Sequence, residues 1–495
     1  MALALAVLAT ALDMTVLNIA LPTLAADLHA GTSVLQWFAS AYTLTVAAVM
    51  LPIGALGDRH GRRKLLLAAL VVFAGASVWC AYSGSSAELI AARVALGLGG
   101  ATIMPLSMAQ MPVLFPDARE RDRAMAVWIG ALALGSALGP LVGGWLLSNF
   151  WWGAVFIINV PLALVGIVAV ITLVPESRSS TPLPLDLPGT VLSSLGLVGV
   201  TYGFIRAGAQ GWGDPVVAAS LVAGFVALVL FVIWQRRARH ALIDLNLFSD
   251  AGFRWGTIYS VLNAFAMFGL VFTVPMYFQG VLGTDAFGSG LRLLPMIAGM
   301  LVANGSADPL REKLGTRTVL FAGFAITAVG MTLGAFTTTT DGFWYSAMWT
   351  ALQGAGLGLV MITSTSLALG SLDKERSGVG SALITMLRNA GMTLGPAVLG
   401  TVAMTRYHER LGALDTAPVR DSVIAGASVA DRLHDTAMLA HVRSAFMSGM
   451  SLLLAVCAGI CVLSAGLVVM RTRRTVAASP AADERERELQ ARRAR

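Results

Sequence analysis

The sequence predicts an all-α integral membrane protein in which fourteen spans form two six-helix bundles with two transmembrane helices inserted between them. Hydrophobic residues make up 56% of the 495 residues and charged residues only 12%, with a mean hydropathy of +0.75. A spanning helix needs about 20 mostly apolar residues, and such segments follow one another almost from end to end. Two regions also resemble each other in sequence. These observations exclude a soluble globular protein.

The predicted spans are separated by short polar loops. They lie near residues 2–24, 34–56, 64–83, 88–109, 124–147, 153–174, 188–207, 215–234, 254–278, 288–308, 318–337, 344–369, 378–404 and 445–470. The first span could pass for a signal-peptide core, but it lacks a basic leading segment and continues through Asp13 to Pro22. We therefore interpret it as a spanning helix, and its very short leading arm leaves open that an upstream segment is missing.

Charge placement orients the spans. Of the 34 Lys and Arg residues, 25 fall in the predicted inner loops (the even-numbered ones) and in the tail, and six fall on the other side. Five of those six lie in one long loop at about 405–444. Because basic residues favour the cytoplasmic side, both termini are predicted to be cytoplasmic. The net charge of +7 lies in these loops, so nucleic-acid binding is not expected.

Three pairs of segments indicate an internal repeat. Gly139-Pro140 matches Gly395-Pro396, and Leu96–Gly99 matches Gln353–Gly356. Residues 58–63 match a more divergent copy at 312–317. All three fit if helices one to six recur as nine to fourteen, an arrangement typical of transporters with a site between the halves. The predicted units are an N-terminal bundle at 1–174, a linker with the inserted helices at 175–253, a C-terminal bundle at 254–470 and a cytoplasmic tail at 471–495.

The loop between spans two and three reads GALGDRHGRRK, from Gly54 to Lys64. Its acidic residue, cations and glycines suggest a hairpin that clamps helices in one state and releases them in another. The expected participants in this gating are Gly54, Asp58, Arg59, Gly61, Arg62 and Arg63. The alternative is a simple topology signal, although anchoring a loop needs neither the aspartate nor the glycines.

Five motifs in order resemble the major facilitator superfamily, in particular its fourteen-helix drug:proton antiporter branch. They are LDMTVLNIALP at 12–22, Gln36-Trp37 with Tyr42 and Leu44, the loop at 54–63, the segment from Arg93 through Gly97 to Pro105, and Gly135–Pro140 with Gly143-Gly144. The resemblance covers nearly the whole chain up to about Arg471. It implies the major facilitator fold, proton-coupled efflux and the expectation of a monomer.

The chain also departs from this family pattern. Leu96 stands where the fourth-helix motif usually has glutamine, and Gly153 and Ala154 replace an arginine and a tryptophan near helix six, where Asn159 and Pro161 fit. No carboxylate lies within spans nine to fourteen apart from Asp308 at a predicted inner end. These departures argue against coupling by several carboxylates and against transport of divalent cations.

Asp13 is the deepest carboxylate in the chain, about midway along its span. An ionised carboxylate is costly inside a membrane, so this group is predicted to exchange protons in competition with a cationic substrate. The alternative is a structural aspartate bonded to Thr15 or Asn18.

Arg93 also lies within a span and could tune a carboxylate or relay a proton, or it could bond helix-end carbonyls. Glu88 is a candidate outer proton entry, with a solvated helix end as the favoured alternative.

Gly135, Gly139 and Gly143 recur every fourth residue and line one helix face. Small residues let helices approach closely, and Pro140 loosens the backbone locally. In the resembling family this element separates antiporters from other transporters. The alternative is a close-packed contact with no mechanistic bias.

Aromatic and methionine side chains suit bulky, flat, amphipathic molecules. The candidate substrate-binding residues are Trp37, Tyr42, Trp128, Tyr259, Phe265, Phe268, Phe272, Met361, Arg388 and Asn389. Such residues in membrane helices more often face lipid or neighbouring helices. Arg388 could also accept an anionic group.

The function predicted from the sequence is proton-coupled efflux of amphipathic, cationic drugs or antibiotics across the bacterial inner membrane. The alternatives are a dedicated exporter of one endogenous product and, less favoured, a non-transporting receptor. No nucleotide-binding GxxxxGK[ST] motif occurs, so energy is expected from a gradient. The three cysteines and six histidines form no metal-ligand spacing, and we expect no metal, no cofactor and no enzymatic activity.

Overall fold

The structure is a computed structural model that describes residues 2–115, 117–178, 186–238 and 243–471. Within those ranges the chain forms seventeen α-helices and no strand. They are α1 (Ala2–Asp27), α2 (Thr32–His60), α3 (Arg62–Ala81), α4 (Ser86–Leu114), α5 (Ala118–Asn149), α6 (Ala154–Ile157), α7 (Asn159–Leu173), α8 (Leu187–Gln210), α9 (Pro215–Arg237), α10 (Ala251–Met276), α11 (Ala286–Arg292), α12 (Leu294–Leu314), α13 (Thr316–Ala335), α14 (Phe343–Leu369), α15 (Lys374–Leu411), α16 (Val423–Leu433) and α17 (Thr436–Arg471). The tail beyond Arg471 lies outside the described residues.

Every predicted span coincides with a helix or a pair of helices. Thirteen stretches of the described chain are long and apolar enough to cross a membrane, with α6–α7 and α11–α12 each counted as one. The remaining predicted span, the thirteenth at 378–404, lies within α15, which has 38 residues and packs against α10, α2 and α17. The predicted all-α membrane fold is therefore confirmed.

Two of the spans are broken where the sequence analysis predicted continuous helices. α6 ends at Ile157 and α7 begins at Asn159, while α11 ends at Arg292 and α12 begins at Leu294. Pro161 and Pro295 explain the breaks, because a proline ring clashes with the carbonyl four residues earlier and offers no N–H. Each break lies at that upstream turn.

The long loop predicted at about 405–444 is largely helical. α15 continues to Leu411, α16 occupies residues 423–433, and α17 begins at Thr436 instead of near residue 445. Ser422 caps α16 by accepting a hydrogen bond from the Ala425 N–H, and the left-handed His434 ends it. The long-loop prediction is wrong here because short amphipathic helices carry too few apolar residues to register as spans.

Consecutive spans run in opposite directions and define two faces. We call the face at which α1 begins the N face and the other the opposite face. Hydrogen bonds at the opposite face join the two halves: Thr32 Oγ1 donates to the Asp421 carbonyl (2.9 Å), and Gln279 Nε2 donates to the Ile19 carbonyl (3.1 Å). Four residues after Thr32 along α2, Gln36 Nε2 donates to the Pro396 carbonyl of α15 (3.0 Å). The halves are thus closed on each other at the opposite face.

The repeated glycines make equivalent contacts in both halves. Gly97 lies against the Tyr42 carbonyl of α2, and Gly354 lies against the Met296 carbonyl of α12. Gly99 packs on α3 in the same way as Gly356 packs on α13. These contacts also align the registers of the two halves, so that Tyr42 and Met296 occupy equivalent positions.

The two hairpins of the repeat are built alike. Gly61 between α2 and α3 has φ +113°, and Gly315 between α12 and α13 has φ +81°, values that favour glycine. Arg63 donates from Nη2 to the Ile171 carbonyl at 2.6 Å, and Arg317 donates from Nη2 to the Val469 carbonyl at 2.5 Å. Ile171 and Val469 therefore hold equivalent places near the ends of α7 and α17.

The inserted helices α8 and α9 pack on each other, and α8 also contacts α2 and α15. Asp186, which caps α8, accepts hydrogen bonds from Trp234 Nε1 (2.8 Å) and Gln235 Nε2 (2.6 Å) at the end of α9. Thr401 of α15 donates to the Phe204 carbonyl of α8 at 2.6 Å. The inserted pair thus lies beside the contact at which the two halves meet.

Candidate functional site

A buried ion pair lies at the centre of the N-terminal half. Arg93 Nη1 contacts Asp13 Oδ2 at 2.6 Å, and Asn159 Nδ2 donates to Asp13 Oδ1 at 3.1 Å. Arg93 Nε donates to the Phe38 carbonyl (3.3 Å), and its guanidinium lies 4.9 Å from the Tyr42 ring centroid. We call Asp13, Arg93, Asn159 and Tyr42 the ion-pair cluster. It joins α1, α2, α4 and α7.

The backbone places each member of the ion-pair cluster. Asp13 comes from the middle of α1, and Asn159 projects from the first residue of α7, where the break before Pro161 turns the chain. A Cβ at Gly100 on α4 would collide with the Tyr42 hydroxyl. Glycine at this position of α4 thus leaves space for the phenol beside Arg93.

Burial makes the ion pair strongly interdependent. Asp13 is 2% exposed, Arg93 1% and Asn159 0%. Removing one partner of a buried pair leaves an uncompensated charge and typically costs about 3–5 kcal/mol. The partners considered for Asp13 in the sequence analysis are wrong, since Thr15 and Asn18 both donate to main-chain carbonyls of α1.

The second half carries no equivalent of this pair. Gly135 lies on the Leu8 carbonyl and Gly391 on the Val261 carbonyl, so Asp13, five residues after Leu8, aligns with Ala266, five residues after Val261. By the same alignment of the two halves, Thr350 is equivalent to Arg93 and Cys457 is equivalent to Asn159. All three are buried, and none of them carries a carboxylate or a guanidinium group. The fold therefore packs at these positions without an ion pair.

Glu88 lies at the start of α4, five residues before Arg93. Its Oε1 accepts a hydrogen bond from Trp79 Nε1 (3.0 Å) and its Oε2 accepts one from the Gly84 N–H (2.9 Å). Its own N–H donates to Ser85 Oγ, the helix cap. Glu88 thus serves to cap α4, and a part in proton entry stays a prediction.

The glycine face of α5 packs on α1 around Asp13. A Cβ at Gly135 would lie 2.8 Å from Ala11 Cβ, a Cβ at Gly139 would collide with Thr15, and one at Gly143 would lie 3.0 Å from Val16. On another side of α5, the Pro140 carbonyl lies against Gly290 of α11 in the second half. α5 therefore contacts both the helix of Asp13 and the other half.

In this conformation the described hydrogen bonds of the hairpin at 54–64 are made within the N-terminal half. The Arg62 N–H donates to the Ser177 carbonyl (2.9 Å) and Arg62 Nη1 to the Ala109 carbonyl (3.2 Å). The Arg63 N–H donates to Glu176 Oε1 at 3.2 Å, and the same carboxylate lies beside Gly61. The hairpin is thereby attached to α4 and to the segment after α7.

The remaining predicted gating residues contribute less to these contacts. Arg59 is exposed, and the space around a Cβ at Gly54 is open to 4 Å. The side chain of Asp58 lies outside the described residues. Its predicted part in gating therefore stays a prediction.

The residues predicted to form a substrate pocket lie in separate environments. Trp37 packs near Tyr202 of the inserted α8, with ring centroids 6.3 Å apart. Tyr42 belongs to the ion-pair cluster. Tyr259 is fully buried against Trp255, 5.9 Å between centroids, and Phe272 is buried below the opposite face.

The other pocket candidates are half-buried or bonded within their helices. Trp128 Nε1 donates to Ser107 Oγ at 3.0 Å, which ties α5 to α4. Asn389 Nδ2 donates to the Thr385 carbonyl (2.9 Å), while Arg388 Nε is enclosed and has no hydrogen-bond partner in the described chain. The side chains of Phe265, Phe268 and Met361 are half-buried. Their role in substrate binding stays a prediction.

Two residues near these sites were given no role in the sequence analysis. Asn159 fits a family pattern but its bond to Asp13 depends on the packing of α7 against α1. Glu176 follows α7 in a charged linker, and nothing in that linker indicates that it accepts a hydrogen bond from the Arg63 N–H. Across the described ranges, no group of three or more His, Cys, Asp and Glu residues could hold a metal ion.

Comparison with known proteins agrees with this architecture. The family description "Major Facilitator Superfamily" matches residues 3–396. The tetracenomycin C resistance and export protein of Streptomyces glaucescens is 32% identical over 96% of this chain and 91% of its own. The multidrug efflux pump LfrA of Mycolicibacterium smegmatis is 33% identical over 94% of each chain. The methyl viologen resistance protein SmvA of Salmonella typhimurium is 31% identical over 88% of this chain and 90% of its own.

Solved structures share the fold at low sequence identity. A bacterial homologue of the human lysosomal transporter Spinster superposes with a TM-score of 0.65 at 16% identity, covering 97% of both chains. The xylose transporter XylE from E. coli gives a TM-score of 0.60 at 16% identity, covering 96% of this chain and 97% of its own. With its repeated halves, its glycine contacts and the match over most of its length, the chain belongs to the Major Facilitator Superfamily and is a membrane transporter rather than an enzyme.

Proposed function

We propose that this protein is a proton-coupled secondary active exporter of amphipathic, cationic drugs or antibiotics in the bacterial inner membrane. The observation that carries the proposal is the buried Asp13–Arg93 pair, which occurs in one half and is replaced by Ala266 and Thr350 in the other. Because the fold packs without charges at these positions, a charged pair there points to a task other than packing. Ionisable residues within membranes mark proton or substrate pathways.

Protonation of Asp13 is the proposed coupling step. In the present conformation the Asp13 carboxylate pairs with Arg93, and a proton from outside would neutralise Asp13 and weaken the pair. Arg93 is anchored to α2 through the Phe38 carbonyl, so loss of the pair would loosen α1 from α2 and α4. α5 packs on α1 around Asp13 and contacts α11, which gives this change a route to the other half.

Substrate need not contact Asp13 for this coupling. At 2% exposure, the carboxylate faces no open space in this state. We infer that substrate and proton compete through the position of α1 instead of sharing one pocket. The substrate class rests on the relatives, whose names specify multidrug efflux and methyl viologen resistance.

The second candidate function is export of a single natural product. It is supported by the relative named for tetracenomycin C resistance and export, which is aligned over 96% of this chain. Both functions place the N face in the cytoplasm, since most basic residues belong to loops on that face. They differ in substrate breadth.

Transport by the purified protein in liposomes tests the proposal. An inside-acidic gradient is imposed on proteoliposomes, and uptake of an external cationic dye such as ethidium, in exchange for protons leaving the lumen, is compared with and without the gradient. We expect gradient-driven movement in the wild type and in Asp27→Asn, a control in which an exposed carboxylate on the same helix is neutralised. Asp13→Asn should bind dye but fail to couple it to the gradient.

Two results would contradict the proposal. Gradient-driven transport that persists in Asp13→Asn would remove the coupling role of the ion pair. Failure to move ethidium, methyl viologen and other cations, together with transport of a tetracenomycin-type compound, would favour the single-product exporter.

A further inference from the structure

A groove of about 880 Å³ opens at the opposite face of the C-terminal half, away from the ion-pair cluster. Its walls are the end of α13 with the loop that follows it, the last part of α15 and the first half of α17. The residues that α17 contributes, from Ala440 to Ala455, recur at three- and four-residue intervals and so lie on one helix face. At 1.5 Å per residue this wall extends for about 22 Å.

One end of the groove is polar and positively charged. Arg406 and Arg443 line it together with four consecutive threonines, 337–340, and no acidic residue is among its described lining. Arg406 also pairs with Glu409 outside the lining (2.8 Å). The Thr338 N–H donates a hydrogen bond to Asp341 Oδ2 at 2.7 Å. The groove therefore presents two guanidinium groups and a row of hydroxyls.

Two polar atoms in this end are enclosed without a partner. Arg443 Nε and Thr337 Oγ1 are inaccessible to solvent and make no hydrogen bond with the described part of the chain. Thr337 is 4% exposed. Enclosed donors that remain unsatisfied are costly, so both atoms indicate that an acceptor group belongs here.

The deeper described lining of the groove carries no charged residue, and its apolar side chains alternate with Ser448 and Ser451. Met447 and Leu452 line it on α17 and Phe336 lines it at the end of α13, with Leu452 41% and Phe336 73% exposed. Because α17 enters the membrane along this stretch, the groove changes from charged to uncharged and partly apolar with increasing depth. A phospholipid has the same order of groups, a phosphate followed by acyl chains.

The position of the arginines supports a dedicated role. Basic residues in loops favour the cytoplasmic side, yet Arg406 and Arg443 lie on the face assigned to the outside. Guanidinium groups bind phosphate oxygens through paired, charge-assisted hydrogen bonds. We propose that this groove binds the phosphate headgroup of an anionic phospholipid, with its acyl chains against Phe336 and Leu452.

Native mass spectrometry of the full-length protein in detergent tests this site with phosphatidylglycerol, phosphatidylcholine and inorganic phosphate. The site variants are Arg443→Gln, the double variant Arg406→Gln with Arg443→Gln, and the milder Thr337→Val. The control is Arg410→Gln, which removes an exposed cation of the same region that is absent from the groove. Thermal unfolding without lipid checks that each variant is folded.

We expect one phosphatidylglycerol to bind wild type and Arg410→Gln and to raise their unfolding temperature. Arg443→Gln should weaken this binding about tenfold, and the double variant should weaken it further. Equal binding to wild type and the folded double variant would overturn the proposal. Competition by millimolar inorganic phosphate would assign the site to a free anion, and equal binding of phosphatidylcholine would refute selection for anionic lipid.

Discussion

The buried ion pair predicts a strong energetic coupling between positions 13 and 93. In Arg93→Gln, the Asp13 carboxylate stays 2% exposed and keeps only its bond from Asn159. The unfolding free energy should fall by about 3–5 kcal/mol. Asp13→Asn likewise leaves the Arg93 guanidinium buried without a charged partner, and a similar loss of about 3–5 kcal/mol is expected.

The double variant Asp13→Ala with Arg93→Thr copies the pair of residues found in the other half, Ala266 and Thr350. With both charges gone, neither partner is left uncompensated. The double variant should therefore be at least as stable as either single variant, Asp13→Ala or Arg93→Thr. The cycle made of these three variants and the wild type should give a coupling of about 2–3 kcal/mol.

Denaturant titration of the purified protein, followed by tryptophan fluorescence, measures these differences. The control pair is Arg406–Glu409, which is 2.8 Å apart but 35% and 56% exposed and should couple by under about 1 kcal/mol. Strictly additive losses at positions 13 and 93 would refute the reasoning, because they would mean that the two charges are solvated separately.

Three further predictions concern packing and the hairpin. Gly139→Val should abolish transport and destabilise the protein by about 1–3 kcal/mol, because the new side chain collides with Thr15. The control Gly130→Val lies on the same helix in open space and should transport normally. Retained transport by Gly139→Val would contradict this prediction. Gly61→Ala should cost about 1–3 kcal/mol because φ is +113° and Glu176 is close, and Gly54→Ala should be neutral in the same unfolding assay. Glu176→Ala should speed hydrogen exchange at the Arg63 amide, because that amide donates to the Glu176 carboxylate. Exchange at the Gly315 amide of the other hairpin should stay unchanged. Unaltered exchange at Arg63 would show that the carboxylate does not hold the hairpin.

The spans were predictable because hydropathy and helix length are local properties of the chain. The helix breaks near Ile158 and Leu293 were readable in principle from Pro161 and Pro295. α16 was missed because its eleven residues are amphipathic and follow a polar segment. Hydropathy alone does not separate such a helix from a loop.

The site was predictable only in part. Asp13 and Arg93 stood out as charges within apolar segments, but their direct contact depends on how α1 and α4 pack. Asn159 is a neutral amide near a helix break and carries little signal of its own. The aromatic candidates such as Trp37 and Tyr259 could not be assigned a direction, because hydropathy does not distinguish a wall facing substrate from one facing another helix.

Proton release on substrate binding is the most direct test of the central claim that Asp13 couples protons to efflux. Purified protein in weakly buffered detergent is mixed with a cationic substrate while a pH-sensitive dye reports released protons. We predict release from wild type and Asp27→Asn and none from Asp13→Asn, although all three bind substrate. Equal release from Asp13→Asn would contradict the account and leave the ion pair a structural element.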